Sequence, residues 1–360
     1  MTTASRGTLA DPTPYETSTA PFATVPGDEP LTVVIAGAGF MGRHWALTLA
    51  ADPRVRIAGV ADADPVRAER LLGELGLTGA PADESLGRLL GRTRPDFLVN
   101  CTTPAAHQHT TFAALTRAIP VLSEKPMAAT LAESEALTSA ASAVGRLLMV
   151  SQNRRYEPGV VALRGALPRL GRLSSVSVAH RRDHRPVPYV LAAAEPLMEE
   201  MAIHLFDTVR ALTGTEAESA YCETFRTPWS RYAGNDSALA QFRMSGGLRF
   251  SFSGCWTSRG DETAWSGSWR FTGEHGTALW DGLGAPELRL DHKPPARVPC
   301  GRSDAEFPGL AEALDEFVTA LRTGAPPQGE CRDNLRSLAM VDAALASART
   351  GTPVPVKGAL

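Results

Sequence analysis

Two rhythms of apolar and polar positions divide this chain. Through residues 31–150, short apolar runs of strand length alternate with stretches whose apolar residues recur at helical spacing. Val33, Val34 and Ile35 form the first β-branched run, and residues 55–61, 97–99, 120–122 and 147–150 form the others. Helical patterns lie between them, opening at Phe40 and Pro65 and recurring near 85–90, 105–116 and 131–144. Five strands separated by helices predict an α/β fold with a doubly wound parallel sheet. From Leu173 the rhythm changes, and residues 173–179, 217–225, 237–244, 248–256, 266–271 and 277–280 predict strands without helices between them. That pattern implies a second, α+β domain around an open-faced, mainly antiparallel sheet. One helix interrupts it over 196–212, with Leu197, Met201, Leu205 and Val209 as its packing stripe. Residues 307–321 and 331–348 read as amphipathic helices that cover the sheet and the domain junction. The expected organisation is a flexible tail over 1–30, a nucleotide-binding domain over 31–150 and a substrate-binding and oligomerisation domain over 151–360.

Composition narrows the class. With 360 residues, 43% apolar and 21% charged, the chain has room for two cores. A formal charge of −3 gives no reason to expect nucleic acid or an acidic membrane as partner. The cysteines at 101, 222, 255, 300 and 331 never form C-x-x-C, so neither a disulfide framework nor a zinc site is indicated, and a reducing cytoplasm is expected. Residues 1–30 lack the basic start and apolar core of a secretory signal, and no apolar run nears membrane-spanning length.

Chemistry enters where the first strand ends. Gly37, Gly39 and Gly42 follow it in G-x-G-x-x-G spacing, with Phe40 and Met41 opening the helix. In a dinucleotide site the first glycine makes the turn, the second admits the pyrophosphate and the third lets helix and strand pack closely. Asp62 stands twenty residues after Gly42, at the end of the second strand, where a carboxylate receives the adenosine ribose hydroxyls. No arginine adjoins it to receive a 2'-phosphate, so the expected cofactor is NAD rather than NADP.

Three further stretches are candidates. The run 123–126 puts Lys125, one of three lysines in the chain, at a strand end, where a desolvated amine can serve as acid, base or polarising donor. On the interrupting helix, Glu200, His204 and Asp207 follow at intervals of four and three, which places them on one helical face. A carboxylate one turn before a histidine can orient its ring and set its protonation. In 179–185, alternation puts His180, Arg182 and His184 on one face, which suits a carboxylate, a phosphate or a pyrophosphate. Trp256, Trp265 and Trp269 read as core aromatics before sugar-stacking ones.

With GAGFMG, Asp62, TTPAAH, SEKP, NRRYEP and EEMAIHLFD in this order, and LASARTGTPVPV at the close, residues 31–356 resemble the glucose-fructose oxidoreductase, inositol dehydrogenase and rhizopine-catabolism oxidoreductase family. The resemblance implies a Rossmann domain followed by an α+β domain whose open sheet forms homodimer or homotetramer contacts. It implies that Lys125 precedes a cis proline. Its cofactor positions match Gly37, Gly39, Gly42, Asp62, Thr102, Pro104, His107 and Glu124, and its lysine and histidine match Lys125 and His204. Arg154 matches a frequent substrate contact, and the expected substrate set is Arg154, Arg155, His180, Arg182 and Asp207. One departure stands out: family members often carry aspartate four residues before the histidine, and this chain has Glu200.

The expected reaction moves a hydride between NAD and a secondary alcohol of a sugar, cyclitol or sugar derivative, with an anionic substrate mildly favoured. Lys125 and His204 share the proton chemistry, either of them serving as base, and Glu200 orients the histidine. Two other readings use the same residues: a redox-neutral elimination or glycoside cleavage that returns the hydride, and a non-catalytic NAD-binding sensor.

Overall fold

A computed structural model describes residues 22–302 and 307–358. In its first half the expected alternation is present: β1 (Leu31–Ala36), α1 (Phe40–Ala51), β2 (Val55–Ala61), α2 (Pro65–Glu74), β3 (Ala82–Asp83), α3 (Leu86–Thr93), β4 (Phe97–Asn100), α4 (Pro104–Leu115), β5 (Val121–Ser123), α5 (Leu131–Val144) and β6 (Leu148–Val150). The six strands pair in parallel in the order β3-β2-β1-β4-β5-β6. Helices cover both faces, so the central strands are near-continuous apolar runs: Val33, Val34, Ile35 and Val99 are all fully buried. The order reverses between β1 and β4, and the crevice outside their carboxyl ends is where open α/β sheets bind ligands.

The chain then passes through a 3₁₀ turn (Asn153–Tyr156) and α6 (Pro158–Ala166) into a second sheet. Its strands are β7 (Leu173–Arg181), β8 (Ala217–Phe225), β9 (Ser237–Met244), β10 (Arg249–Cys255), β11 (Ser268–Gly273), β12 (Gly276–Trp280), β13 (Glu287–Leu290), β14 (Ala296–Arg297) and β15 (Val354–Pro355). Between β7 and β8 lie α7 (Pro188–Ala192), a π-helical turn (Met198–Ala202) and α8 (Ile203–Thr213); α9 (Leu310–Thr323) and α10 (Cys331–Thr350) follow β14. The nine strands run in the order β14-β13-β12-β11-β7-β10-β9-β8-β15. The sheet is antiparallel except for β7 and β10, which pair in parallel because the long excursion through α8 carries the chain back across it.

Alternation along these strands separates two faces. Val176, Val178, Phe242, Phe250, Phe252 and Phe271 point inward against α8, where Phe206 meets Phe242 edge-on at 4.8 Å. On the other face Ser177, Gln241, Ser251 and Ser268 lie among the exposed Tyr221 and Leu239.

The two terminal helices divide their work differently from the expectation. Leu314, Phe317 and Leu321 of α9 complete the core of the first sheet with Leu31, Trp45 and Phe97, the Phe97 and Phe317 rings lying 5.2 Å apart. The helix α10 sends Cys331 to the other side of that sheet and Leu338, Met340 and Ala344 into the second core. Of the segment expected as a flexible tail, residues 1–21 lie outside the described residues, whereas Phe22 and Val25 pack against the first domain and the rest of 22–30 is exposed. Phe22 is buried in the first core, the Val25 amide donates to the Leu321 carbonyl at 2.8 Å, and Arg322 donates to the Val25 carbonyl at 2.9 Å.

Candidate functional site

The glycine loop has the geometry that a pyrophosphate requires. Gly37 adopts a φ of +97°, and a Cβ there would stand 2.5 Å from the Cys101 carbonyl oxygen. A Cβ on Gly42 would come within 1.9 Å of the Gly37 carbonyl oxygen, so α1 packs this close only without a side chain. Gly39 differs: no atom lies within 4 Å of where its Cβ would be, so the space over it is open to a ligand. Neither a side-chain cap nor an acidic residue occupies the first turn of α1, which leaves its amides facing that space. Asp62 is fixed against the loop, accepting from the Ala38 amide at 2.7 Å and from the Asp64 amide at 2.9 Å. Phe40 is exposed at the helix start and Met41 half-buried beside it. These residues fit NAD.

Across the crevice, Asn100 at the end of β4 organises the next loop. Its carboxamide oxygen accepts from the Thr102 hydroxyl at 2.7 Å and its amide donates to the His107 carbonyl and the Thr111 hydroxyl at 3.1 and 3.0 Å. Thr102 and Pro104 are partly exposed at the crevice edge. Two further expected cofactor residues lie beneath the crevice, bonded to the protein itself. His107 is fully buried, with Nδ1 2.6 Å from the Pro126 carbonyl and Nε2 2.9 Å from the Thr102 carbonyl, so it ties the two loops together from beneath. Burial outweighs both carbonyls and keeps its pKa below the ordinary value. Glu124 is also buried, accepting from the Trp45 indole at 2.8 Å and from the Lys125 amide at 3.2 Å, and so holds α1 to the end of β5. Burial raises the pKa of this carboxyl despite those bonds.

The bond between Lys125 and Pro126 is cis. The Lys125 ammonium donates to the Glu200 carboxylate at 3.0 Å and to the Glu200 carbonyl at 3.1 Å. Glu200 therefore orients the lysine rather than the histidine, correcting the role read from the four-residue spacing. Glu200 lies in the π-helical turn Met198–Ala202 that leads into α8. Its side chain reaches the amine.

His204 is buried, and its Nδ1 has no hydrogen-bond partner among the described residues. Burial, then the charges of Arg154 and Lys125, hold its pKa well below the ordinary value, so the ring is neutral. His180 is fully buried near it and accepts from the Trp256 indole at 3.3 Å; burial and the nearby Arg154 and Arg182 lower its pKa to about 3. Arg154 reaches the same region from the turn after β6. Its guanidinium donates to the Ser266 hydroxyl at 3.0 Å, and burial lowers its pKa. Beside the Lys125 and Glu200 pair lies a cavity of about 630 Å³, walled by Pro104, Pro126, Tyr189, Glu199, Ile203 and Leu338 among others.

The other expected substrate residues are committed to the fold. Arg155 and Asp207 form a buried bidentate pair, both bonds 2.6 Å long, joined by Asp333, Arg210 and Ser337. They fasten the turn after β6 to α8 and α10. Arg182 donates to the Thr263 carbonyl at 2.9 Å, pairs with Glu262 at 3.2 Å and lies over the Trp265 ring. Trp256 and Trp269 are core, whereas Trp265 is exposed. The sequence assigns no role to Trp45 or Ser266 and marks Asn100 only as the start of a polar turn at a strand end. Asn100, ending an apolar strand ahead of a polar turn, was the one with a visible signal.

Among the described residues, no three His, Cys, Asp or Glu side chains gather as a metal site, and no helix is long and apolar enough to cross a membrane.

Comparison with known proteins identifies the fold and the family. Residues 31–152 match an oxidoreductase family with an NAD-binding Rossmann fold, and residues 168–279 match the GFO/IDH/MocA C-terminal domain. D-apiose dehydrogenase of Paraburkholderia graminis is 26% identical over 342 residues, covering 90% of this chain and 89% of that protein. Inositol 2-dehydrogenase 4 of Saccharopolyspora erythraea is 26% identical over 351 residues, covering 91% and 96%. A solved oxidoreductase from Agrobacterium radiobacter, in complex with NAD+, L-tartaric acid and magnesium, shares the fold with a TM-score of 0.83 at 20% identity over 92% of this chain and 99% of that one. The chain belongs to the Gfo/Idh/MocA family of NAD-binding oxidoreductases.

Proposed function

We propose that this enzyme interconverts a secondary alcohol and a ketone on a sugar, cyclitol or sugar derivative. The observation that carries the reading is the Lys125 and Glu200 ion pair next to a neutral His204, whose Nδ1 has no hydrogen-bond partner among the described residues, at the carboxyl edge of the NAD-binding sheet. Bound NAD supplies the hydride acceptor, or in reverse the donor, at C4 of its nicotinamide. Glu200 holds the Lys125 amine in place, and the ammonium donates to the carbinol oxygen as negative charge develops there. His204, being neutral, has a ring nitrogen free to take the hydroxyl proton, and the positive charges around it drive that proton back in the reverse direction. The names of the D-apiose and inositol dehydrogenases support a polyhydroxylated substrate.

The test is NADH formation with excess NAD across inositols, aldoses, sugar acids and amino sugars. Oxidation by the wild type, lost in both Lys125→Ala and His204→Ala, supports the assignment; normal turnover in both variants overturns it. Two further expectations belong to this reading. The protein works in the cytoplasm, and a second copy of the chain covers the open face of the second sheet, around Tyr221 and Leu239. Light scattering of Leu239→Arg, expected to halve the assembly, checks the second.

A further inference from the structure

Resting on that reading, the placement of one arginine narrows the substrate class. The cationic side chains that the sequence offers near the site are mostly spoken for: Arg155 by Asp207 and Asp333, Arg182 by Thr263, Glu262 and the Trp265 ring. Arg154 is different. Its side chain is 12% exposed, yet only two of its donors are engaged, one by the Ser266 hydroxyl at 3.0 Å and one by the Met201 sulfur at 3.8 Å. Glu157, at 3.8 Å, balances part of the charge from beyond hydrogen-bond reach. The remaining N–H groups have no acceptor among the described residues. No Arg154 nitrogen is among the buried atoms left without a partner, so its spare donors are open to a ligand that supplies oxygen atoms. Its neighbours His180 and His204 are neutral and offer no negative charge.

The guanidinium is held in place rather than left to find its own position. Ser266 accepts from Arg154 while its own hydroxyl donates to the Glu157 carboxylate at 2.5 Å, so the three residues form one chain of hydrogen bonds. Ser266 is buried and lies on the loop ahead of β11, far in sequence from the turn that carries Arg154 and Glu157.

We infer that Glu157 and Ser266 are positioning residues that aim Arg154 at a carboxylate borne by the substrate beside its reacting carbinol, so that the preferred substrates are sugar or polyol acids. A carboxylate matches the fork of a guanidinium in two parallel hydrogen bonds, which a lone hydroxyl or an ester cannot do. Recognition comes from the spare donors of Arg154, and Ser266 makes it selective by fixing the plane of the fork.

Three probes of one skeleton test this: galacturonate, its methyl ester and galactose, assayed for NADH formation and by calorimetric titration into the NAD-loaded protein. In the wild type, kcat/KM for the acid should exceed that for the ester by at least about 10-fold. Arg154→Lys, which keeps the charge but loses the fork, should cut that preference to about 3-fold or less. Ser266→Ala should raise KM for the acid about 10-fold with a much smaller change in kcat, and Ser266→Thr should restore it. Equal rates on acid and ester overturn the inference while leaving the dehydrogenase intact. So does a Ser266→Ala effect that is the same on all three probes, which marks a merely structural serine. Tight binding of the acid, lost in Arg154→Lys, without NADH formation overturns the proposed reaction and leaves the carboxylate site standing. Failure of the NAD-loaded protein to bind the acid at all overturns the site.

Discussion

The Lys125 ammonium and the Glu200 carboxylate, 75 positions apart in sequence, meet at 3.0 Å, and the same ammonium is held by the Glu200 carbonyl at 3.1 Å. Shortening the acid should open this contact. Glu200→Asp is expected to lower kcat about 10-fold, and Glu200→Ala by more, with NAD affinity unchanged in both. Steady-state NADH formation and fluorescence titration of NADH measure the two quantities. If Glu200→Asp acts like wild type, the carboxylate does not position the amine.

The two loop glycines separate folding from binding. Gly42→Ala forces a Cβ to 1.9 Å from the Gly37 carbonyl oxygen, so α1 must move and both thermal stability and NADH binding should fall. Gly39→Ala meets no protein atom within 4 Å. It should melt within a few degrees of wild type while losing about 10-fold or more in NADH affinity, because the added methyl stands where the cofactor approaches. Melting curves with and without NADH report both effects.

Acid should destabilise the fold through its buried imidazoles. His180 titrates near 3 in the folded protein against an ordinary value of 6.5, so between those limits the unfolded chain binds the extra proton and stability falls as pH drops. Each pH unit in that window is worth about 1.4 kcal/mol. His180→Gln, which still offers Trp256 an acceptor, should therefore lose about 2 kcal/mol less than wild type between pH 7 and pH 5. Urea unfolding at the two pH values measures this; identical pH dependence in both proteins would falsify the assignment of a neutral His180.

Asp207→Asn strips charge from a buried network that also holds Arg155 and Arg210. The expected cost is about 3 kcal/mol in urea unfolding, with KM little changed in the molecules that remain folded. A large KM effect without loss of stability would return Arg155 and Asp207 to the substrate site.

What the sequence disclosed and what it hid follow from the range of the interactions. The Gly37, Gly39 and Gly42 spacing and Asp62 were legible because the loop and the strands beside it are set by near neighbours. The cis bond before Pro126 and the region of His204 were legible through a family pattern. Partners fixed by the tertiary fold were not: nothing in the sequence joins Glu124 to Trp45 across 79 positions, or Arg155 to Asp207 across 52. Both acidic residues look like exposed site groups until the core closes around them. The role of Glu200 was hidden in the same way, since its partner Lys125 lies 75 positions away. The four-residue spacing points to His204 and gives no sign of the lysine that the fold brings to the carboxylate.

Phe317 against Phe97 carries a further implication for how the protein is made. Although the parallel sheet is complete by Val150, part of the apolar cover over Leu31, Trp45 and Phe97 comes from α9, encoded more than a hundred and fifty residues later. During translation the finished β-strands leave the ribosome with that flank bare, and only when residue 323 has emerged can it be sealed. The nucleotide-binding half thus matures only after β7 to β14 of the second sheet have been synthesised, and a gene fragment ending near residue 150 encodes a protein with an open seam.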